Sequence, residues 1–315
     1  MKILVTCPPM LGMIDYFNGT FEAYGMEVTA PRVVQTLSVD ELVDIVPDHD
    51  GWIIGDDPAD RRVFEVGRSG RLKAAVKWGI GVDNVDFGAC NELDIPITNT
   101  PDMFGKEVAD IAVSYVTALA RETYEIDRGV RGGGWPKPRG ISLCGKTVAL
   151  VGFGDIGQNT AKRLLAADMN VIAYDPEING DRGLRGVIRE EWPQRIEKAD
   201  FIVVTCSLTP TSYHLLDEDL FSRAKSGVRV INVGRGAVID ERALEDALKT
   251  GKVYSAALDV FEEEPLPMSS YLRLHSHCIL GSHNASNTSD AVVRTSEVAI
   301  KEIAKFLGIQ KSDVS

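Results

Sequence analysis

The chain has 315 residues, of which 44% are hydrophobic and 25% are charged, a composition typical of globular domains. That length predicts one large domain or two domains of medium size. The formal charge is −12 at pH 7, and the sequence contains no long run of Lys and Arg. Both features argue against a nucleic-acid binder.

Cysteine usage and hydropathy narrow the class of protein further. The five cysteines are far apart, odd in number and without a C-x-x-C pair. This pattern argues against a disulfide framework or a zinc site and favours a reducing cytoplasm. No apolar run reaches about 18 residues, so we expect no membrane span. The opening "MKILVTCPPM" lacks the length and cleavage site of a signal peptide and is typical of a first β-strand.

Short apolar runs alternate with helical patterns along the first hundred residues, which predicts βαβ units and a parallel sheet. Ser38 and Glu41 have the spacing of a capping box at the start of a helix. The predicted strands are residues 2–6, 27–30, 51–55, 74–77 and 97–99.

Residues 105–121 carry apolar side chains on almost every helical face, which predicts a helix buried on all sides in a core or a subunit interface. The Gly- and Pro-rich segment that follows it is typical of a loop. A closing helix over about 289–306 is placed where it could return to the first domain. We therefore expect two α/β domains. Further strands are predicted at residues 147–151, 170–174, 201–206, 228–233, 254–260 and 278–280.

A glycine motif stands between a predicted strand and a predicted helix. Gly152, Gly154 and Gly157 form G-x-G-x-x-G, and Asp175 ends the next strand, 21 residues after Gly154. Glycines allow close approach of the backbone, and the helix N-terminus offers unpaired N–H groups to a pyrophosphate. A carboxylate such as Asp175 accepts hydrogen bonds from ribose hydroxyls. A dinucleotide site is predicted; a turn that binds nothing and an S-adenosylmethionine site are the alternatives.

Ionisable residues follow three later strands. Arg235 lies between two glycines after strand 228–233, and His283 follows strand 278–280. Between them in the chain, Asp259 ends a strand that leads into the acidic run Glu262, Glu263 and Glu264. Ligands of open parallel sheets bind at the carboxyl ends of strands. An arginine that anchors a carboxylate and a histidine near a carboxylate suit the reduction of a 2-keto acid by a nicotinamide.

The order and spacing of several motifs resemble the D-isomer-specific 2-hydroxyacid dehydrogenases, most closely their phosphoglycerate dehydrogenase-like branch. These motifs are "KWGIGVDNVD", "GKEVADIAV", "VGFGDIG", "VTCSLTPTSYHLLD", "INVGRGAVID", "ALDVFEEEPLP" and "GSHNAS". The resemblance implies an α/β fold of two Rossmann-like doubly wound parallel-sheet domains around a cleft. Residues 1–103 plus about 286–315 would form a flavodoxin-like substrate-binding domain, and residues 104–285 an NAD-binding domain. It also implies a homodimer through the coenzyme domain.

The resemblance further implies roles for single residues. His283 falls on the acid/base histidine, Glu264 on the carboxylate that tunes it, and Arg235 on the residue that orients the substrate. Glu262 and Glu263 would then be spectators. The backbone of Ile80 and Gly81 matches the loop that receives the substrate carboxylate, and no metal is implied. The implied cofactor-binding residues are Gly152, Phe153, Gly154, Asp155, Ile156, Gly157, Asp175, Cys206, Ser207, Val233, Gly234, Asp259, His283 and Ala285, with Asp259 at the nicotinamide carboxamide.

Two departures from the family pattern concern the substrate. "GSHNAS" lacks the proline that commonly precedes the histidine. Asp56 and Asp57 stand where phosphoglycerate dehydrogenases often have Arg-Ser, and would repel a phosphate, for which Lys77, Lys137 or Arg139 could compensate. We assign no function to the other histidines, and "HSH" at 275–277 has no further metal ligand at suitable spacing.

The leading hypothesis is an NAD-dependent enzyme that interconverts a D-2-hydroxy acid and its 2-keto acid. The candidate activities are phosphoglycerate dehydrogenase and hydroxypyruvate or glyoxylate reductase. The alternative is a dinucleotide-sensing binding protein on the same scaffold, similar to the family's corepressors. A formate-type enzyme is disfavoured, because its acid position is expected to hold Gln, and this chain has Glu264.

Overall fold

The computed structural model describes residues 1–177 and 184–311 and divides the chain into two compact units. Unit 1 comprises Met1–Met103 and Asn287–Ser315, and unit 2 comprises Phe104–Ser286. Each unit is built on a parallel sheet with helices, so the predicted α/β class with parallel sheets is confirmed.

The elements follow one another in α/β alternation. The strands are β1 (Lys2–Val5), β2 (Glu27–Thr29), β3 (Gly51–Ile54), β4 (Ala74–Lys77), β5 (Ile97–Asn99), β6 (Thr147–Val151), β7 (Asn170–Tyr174), β8 (Val187–Arg189), β9 (Phe201–Val204), β10 (Val228–Asn232), β11 (Val253–Leu258) and β12 (Cys278–Leu280). The helices are α1 (Pro8–Leu11), α2 (Ile14–Ala23), α3 (Val39–Ile45), α4 (Arg61–Ser69), α5 (Phe87–Glu92), α6 (Gly105–Arg121), α7 (Thr123–Arg131), α8 (Asp155–Ala166), α9 (Glu218–Arg223), α10 (Glu241–Lys249) and α11 (Ser289–Phe306).

The sheet of unit 1 has the order β2-β1-β3-β4-β5, with every pairing parallel. Strands β3 and β4 are buried along their whole length, because helices cover both faces. Helix α3 begins with the predicted capping box, in which Ser38 accepts from the Glu41 N–H and Glu41 accepts from the Ser38 N–H.

Helix α11 completes unit 1. It packs against β3, β4 and α2, so the closing helix does return to the first unit. The indole N–H of Trp78 donates to the hydroxyl of Ser296 at 3.1 Å. The buried residues recur every three or four positions, which is the pattern of one helical face. They are Ala291, Val292, Thr295, Ser296, Ala299, Ile300, Ile303 and Ala304.

The sheet of unit 2 has the order β12-β11-β10-β9-β6-β7-β8, again all parallel. The chain runs outward from β6 to β7 and β8, then returns to β9 on the other side of β6. The strand order therefore reverses between β6 and β9, and such a switch point is where doubly wound sheets bind ligands.

The prediction that helix α6 is buried on every side is wrong for the single chain. Val108, Ala112 and Val116 are buried, but Lys106 and Asp110 are exposed, one turn apart on the opposite face. The exposed face of α6 is polar and includes Ser114 and Thr117, whereas none of the alanines of this helix is exposed. The α7 helix also extends three residues into the segment expected to be a loop, to Arg131.

Candidate active site

The glycine turn between β6 and α8 is shaped by close packing. Gly152 has φ +94°, and a Cβ there would lie 2.6 Å from the backbone N of Cys206, so only glycine fits. A Cβ at Gly157 would lie 2.2 Å from the carbonyl oxygen of Gly152. At Gly154, by contrast, a Cβ would meet no atom within 4 Å. The backbone at the start of α8 therefore borders open space, and this arrangement fits the pyrophosphate of a dinucleotide.

Two acidic residues border this turn in different ways. Asp175, directly after β7, accepts from the N–H of Phe153 at 2.6 Å and from the N–H of Glu177 at 2.9 Å. Its carboxylate is thus held against the glycine turn and keeps further lone pairs for ligand hydroxyls. The carboxylate of Asp155 occupies the space next to Gly105 and accepts from the amide of Asn159 at 2.9 Å. For Asp155, only the backbone remains suited to a role in cofactor binding.

The ends of β9 and β10 form the other side of the switch point. A Cβ at Gly234 would lie 2.6 Å from the carbonyl oxygen of Cys206, so these two loops are in contact. Val233 is buried, and the carbonyl of Ser207 accepts from the hydroxyl of Ser212 at 2.8 Å. Burial raises the pKa of the Cys206 thiol to about 11. The thiol is therefore neutral near pH 7 and is not a nucleophile.

His283 and Glu264 form a hydrogen-bonded pair. Nδ1 of His283 lies 2.7 Å from Oε2 of Glu264, and each side chain is about one-fifth exposed, at 22% and 20%. The other carboxylate oxygen of Glu264 accepts from the N–H of Phe261 at 2.9 Å. The carboxylate is therefore fixed on both oxygens, and Nε2 is the ring nitrogen that stays on the side away from Glu264.

Asp259 holds the turn that carries His283. Its side chain is buried and accepts from the N–H groups of Asn284 at 3.2 Å and Ala285 at 2.8 Å. Its carbonyl accepts from the N–H of His283 at 2.7 Å. His283 adopts φ +53°, which is uncommon for a residue with a side chain. These three bonds fix the turn without the proline that the family commonly has there.

Gly281 and Tyr115 pack around Asp259. A Cβ at Gly281 would lie 2.2 Å from Oδ1 of Asp259 and 2.9 Å from the hydroxyl oxygen of Tyr115. Burial, together with the charge of Asp259, raises the pKa of Tyr115 to about 12, so the phenol stays protonated. Nothing in the sequence pointed to Tyr115, because it lies far from Asp259 along the chain.

Arg235 lies on the same sheet edge as the pair. Strands β10, β11 and β12 are neighbours, and they lead into Arg235, Glu264 and His283 respectively. A Cβ at Gly236 would lie 1.9 Å from the carbonyl carbon of Phe261, so the Arg235 loop and the glutamate loop are in direct contact. The guanidinium donates through Nη1 to the carbonyl of Gly234 at 3.1 Å.

The predicted carboxylate-binding loop belongs to unit 1, after β4. Gly79 has φ +118°, and its N–H donates to the hydroxyl of Thr100 at 2.7 Å. Within residues 1–177 and 184–311, the next three N–H groups, those of Ile80, Gly81 and Val82, have no acceptor. Consecutive unpaired N–H groups form a concave donor site for anions.

The two aspartates after β3 have different environments. Asp57 is fully buried and accepts from the N–H groups of Leu37 and Gly55 and from the hydroxyl of Thr6. The expectation that Asp57 repels a ligand phosphate is therefore wrong, because its carboxylate is part of the core. Asp56 remains 35% exposed. Its Oδ1 lies 3.0 Å from Nζ of Lys77, which is 2% exposed.

More than half of the chain matches a known protein family. The family described as "D-isomer specific 2-hydroxyacid dehydrogenase, NAD binding domain" matches residues 113–285. The chain is 34% identical to the hydroxypyruvate reductase of Thermotoga maritima over 90% of this chain and 92% of that protein. It belongs to the D-isomer-specific 2-hydroxyacid dehydrogenase family.

Other family members extend the comparison. The chain is 36% identical to the chloroplastic D-3-phosphoglycerate dehydrogenase 2 of Arabidopsis thaliana, over 89% of this chain and 45% of that protein. The structure of apo D-lactate dehydrogenase from Escherichia coli superposes with a TM-score of 0.84 at 26% identity, covering 98% of this chain and 97% of that one. The chain spans about half the length of the curated phosphoglycerate dehydrogenases it matches.

The family assignment agrees with the glycine turn, because unit 2 contains the family's NAD-binding domain. Among the described residues, no group of three or more His, Cys, Asp or Glu side chains could hold a metal ion. No helix within the described ranges has the length and apolar character needed to cross a bilayer.

Proposed function

We propose that this protein is an NAD-dependent dehydrogenase that interconverts a D-2-hydroxy acid and its 2-keto acid, with His283 as the acid/base residue. The observation that carries this proposal is the 2.7 Å contact between His283 and Glu264 at the carboxyl edge of a sheet that also carries the glycine turn. A carboxylate next to an imidazole favours the protonated ring, which is the form that donates a proton.

The chemistry divides between cofactor and protein. The nicotinamide supplies the hydride when it is bound. His283 gives the keto oxygen its proton, so that C=O becomes C–H and O–H and the ring is left neutral. Glu264 holds Nδ1, which directs the proton on Nε2 toward the substrate. In the direction of oxidation, neutral His283 accepts the hydroxyl proton. Arg235 carries a fork of N–H donors that can bind a carboxylate in a bidentate way, which supports a role in orienting the substrate.

For the substrate carboxylate, we propose the N–H groups of Ile80 and Gly81 as donors. Support comes from the three consecutive N–H groups without an acceptor described above, and from the positive φ of Gly79 that turns them to one side. Ile80 is 39% exposed, so this loop is reachable by a small anion.

The charge near this loop supports an unphosphorylated substrate. Nζ of Lys77 is fully engaged by the carbonyls of Gly55 at 2.6 Å and Trp78 at 3.2 Å and by Asp56. The cation is buried, whereas the carboxylate of Asp56 is partly exposed. The accessible charge of the Asp56–Lys77 pair is therefore negative, which disfavours a phosphate and suits glyoxylate, hydroxypyruvate or an apolar 2-keto acid.

The decisive experiment is a substrate series. NADH oxidation should be followed with glyoxylate, hydroxypyruvate, pyruvate, a branched 2-keto acid and 3-phosphohydroxypyruvate. We expect turnover with at least one unphosphorylated acid and a lower kcat/KM for the phosphorylated one. NADH binding without turnover on any of them would overturn the proposal and favour a dinucleotide-sensing protein.

We also propose that unit 2 forms a homodimer. Helix α7 has no buried residue in the single chain, although it carries the apolar side chain of Val130. Val130 is 43% exposed and Trp135, in the loop after it, is 76% exposed. Large apolar side chains that are exposed at nearby positions of the chain support a subunit interface here. Sedimentation should give a dimer, and Trp135→Asp should shift it toward monomer; a monomeric wild type would contradict the proposal.

A further inference from the structure

His214 has an unusual backbone for a residue with a side chain. Its φ is +49°, a conformation that glycine adopts without cost and that other residues rarely adopt. Such outliers persist where the surroundings hold them, and they often occur at functional sites.

His214 contacts two loops of the proposed active site. Its backbone N–H donates to the carbonyl of Ala237 at 2.8 Å, two residues after Arg235. Its ring Nε2 lies 3.2 Å from Oε1 of Glu262, two residues before Glu264. The ring also stacks on Tyr213, with centroids 4.0 Å apart and planes 15° apart. One residue thus touches both the Arg235 loop and the glutamate loop.

The carboxylate that His214 faces is itself held in place. Oε1 of Glu262 accepts from the N–H of Glu241 at 2.8 Å, and Oε1 of Glu241 accepts from the N–H of Glu262 at 2.6 Å. Nδ1 of His214 lies 3.8 Å from Oδ2 of Asp240 on its other side. Burial, reinforced by the carboxylates of Glu262, Glu245 and Glu264, raises the pKa of Glu241. Among the described residues Nε2 of His214 makes no hydrogen bond, so the imidazole approaches these carboxylates as a polar contact and not as an aligned donor.

We propose that His214 is a positioning residue, which fixes the loops of Arg235 and Glu264 relative to each other through its contacts with Ala237 and Glu262. This inference rests on the proposed function. Catalytic groups displaced by about 1 Å can lose on the order of 100-fold in rate, so a contact that sets the spacing of two such loops has a measurable effect. The Glu262 contact is polar, so a side chain that carries an N–H group keeps its character and an apolar side chain does not.

A matched pair of substitutions tests that contact. His214→Gln and His214→Leu have similar bulk and similar backbone cost at φ +49°, but only Gln keeps a polar N–H group on the side chain that faces Glu262. We expect His214→Leu to lose about tenfold in kcat for keto-acid reduction and to raise the keto-acid KM, with the NADH KM unchanged. His214→Gln should keep kcat within about threefold of wild type. Equal kcat and KM values for the two variants would overturn the proposal.

A double-mutant cycle identifies the partner. Glu262→Gln should lower kcat by about the same factor as His214→Leu. The double variant should have a kcat no lower than that of the more damaging single variant, because both substitutions remove the same contact between His214 and Glu262. Multiplicative losses would show that the two residues act separately and would overturn the proposal. Glu263→Gln is the control, since Glu263 is exposed in the same loop.

Folding defects and failure of the proposed function give different results. Thermal unfolding midpoints of the two His214 variants should agree within a few degrees, and His214→Gly, which relaxes the backbone, should unfold no earlier than His214→Leu. If His214→Leu unfolds far earlier than His214→Gln, His214→Gly takes the place of His214→Leu in the kinetic comparison. We then expect His214→Gly to lose about tenfold in kcat and to raise the keto-acid KM. If the wild type turns over and His283→Ala does not, the proposed function stands whatever His214 does.

Discussion

Nδ1 of His283 lies 2.7 Å from Oε2 of Glu264, although 19 positions separate the two residues along the chain. Neighbouring strands β12 and β11 bring them together, and the Phe261 N–H fixes the other oxygen of Glu264. One ring nitrogen is thereby committed to Glu264, and the proposed role in proton transfer falls to Nε2.

Replacing His283 by Ala should nearly abolish turnover. A positioned general acid typically raises the rate about 10²–10⁴-fold. We therefore expect kcat to decrease by a factor in that range, while the NADH KM stays near the wild-type value. Steady-state kinetics with both substrates varied provide the measurement. His275→Ala, before β12, is the control and should leave kcat unchanged. A His283→Ala enzyme within about threefold of wild type would rule out the acid/base assignment.

Replacing Glu264 by Gln should change the pH profile of keto-acid reduction. Reduction needs the protonated imidazole, so the rate is high at low pH and falls as the ring loses its proton. A carboxylate at 2.7 Å favours the protonated ring, so the wild type should remain active to higher pH than Glu264→Gln. kcat/KM measured from pH 5 to 10 checks this. Glu263→Gln should reproduce the wild-type curve, and superimposable curves for Glu264→Gln and wild type would disprove the coupling.

Asp175 should make the enzyme prefer NADH over NADPH. A 2′-phosphate near this carboxylate would meet a like charge in a partly desolvated site. Asp175→Ala should narrow the preference, chiefly by improving kcat/KM for NADPH at fixed keto acid. Glu177→Ala, two residues on and exposed, is the control.

A wild type that uses NADPH as well as NADH would show that the charge of Asp175 does not decide the preference. A basic residue of the following loop would then have to bind the phosphate. Arg182 is one candidate from the sequence, and it lies outside the residues that the structure describes. Arg185 is the other.

Asp56 should discriminate against phosphorylated keto acids. Asp56→Asn removes the exposed negative charge and leaves the cation of Lys77 uncompensated, and both changes favour a phosphate. We expect the ratio of kcat/KM for 3-phosphohydroxypyruvate to that for hydroxypyruvate to rise about five- to tenfold, which corresponds to about 1 kcal/mol. Asp44→Asn, an exposed acid on α3, should leave the ratio unchanged. No change in the Asp56→Asn ratio would mean that the distal group of the substrate lies elsewhere.

Asp50 should make unit 1 sensitive to acid. Burial acts to raise its pKa, but the Lys2 N–H, Arg71 and Lys73 outweigh burial and lower the pKa to about 2. The unfolded value is about 3.9. The stabilisation is therefore fully present above about pH 4 and is lost as the pH falls through about 2.

Asp50→Asn removes that titrating group. The unfolding midpoint of the variant should be lower than that of wild type at pH 7, and the difference should shrink between pH 4 and pH 2. Calorimetry over this range, with Asp44→Asn as the control, is the measurement. A constant difference between Asp50→Asn and wild type at all pH values would contradict the titration.

The sequence predicted what depends on local pattern. The capping box at Ser38, the glycine turn at Gly152 and the strand-end positions of Arg235 and His283 all follow from spacing within a few residues. Burial of Asp57 could not be predicted, because its partners Thr6 and Leu37 are distant in sequence. The exposed stripe on α6 was missed for a different reason, since its polar residues are spaced among more numerous apolar ones.

The sequence pattern also could not predict the contacts around His283 and Glu264. The three bonds that Asp259 accepts from the His283 turn and the approach of His214 to Glu262 depend on how loops from different strands meet. A histidine in a loop offers no local signal for this.

The path of the chain through unit 1 has a consequence for protein synthesis. Helix α11 contributes eight buried side chains to unit 1, but it begins 186 residues after Met103, where the first segment of the unit ends. At about 5–20 residues per second, a ribosome needs roughly 10–40 s to make that interval. During this time the nascent amino-terminal sheet has an uncovered apolar face, whereas residues 104–286 emerge as one continuous segment. We expect unit 2 to fold first, and chains stalled on the ribosome after residue 286 to remain protease-sensitive within residues 1–103 until α11 has emerged.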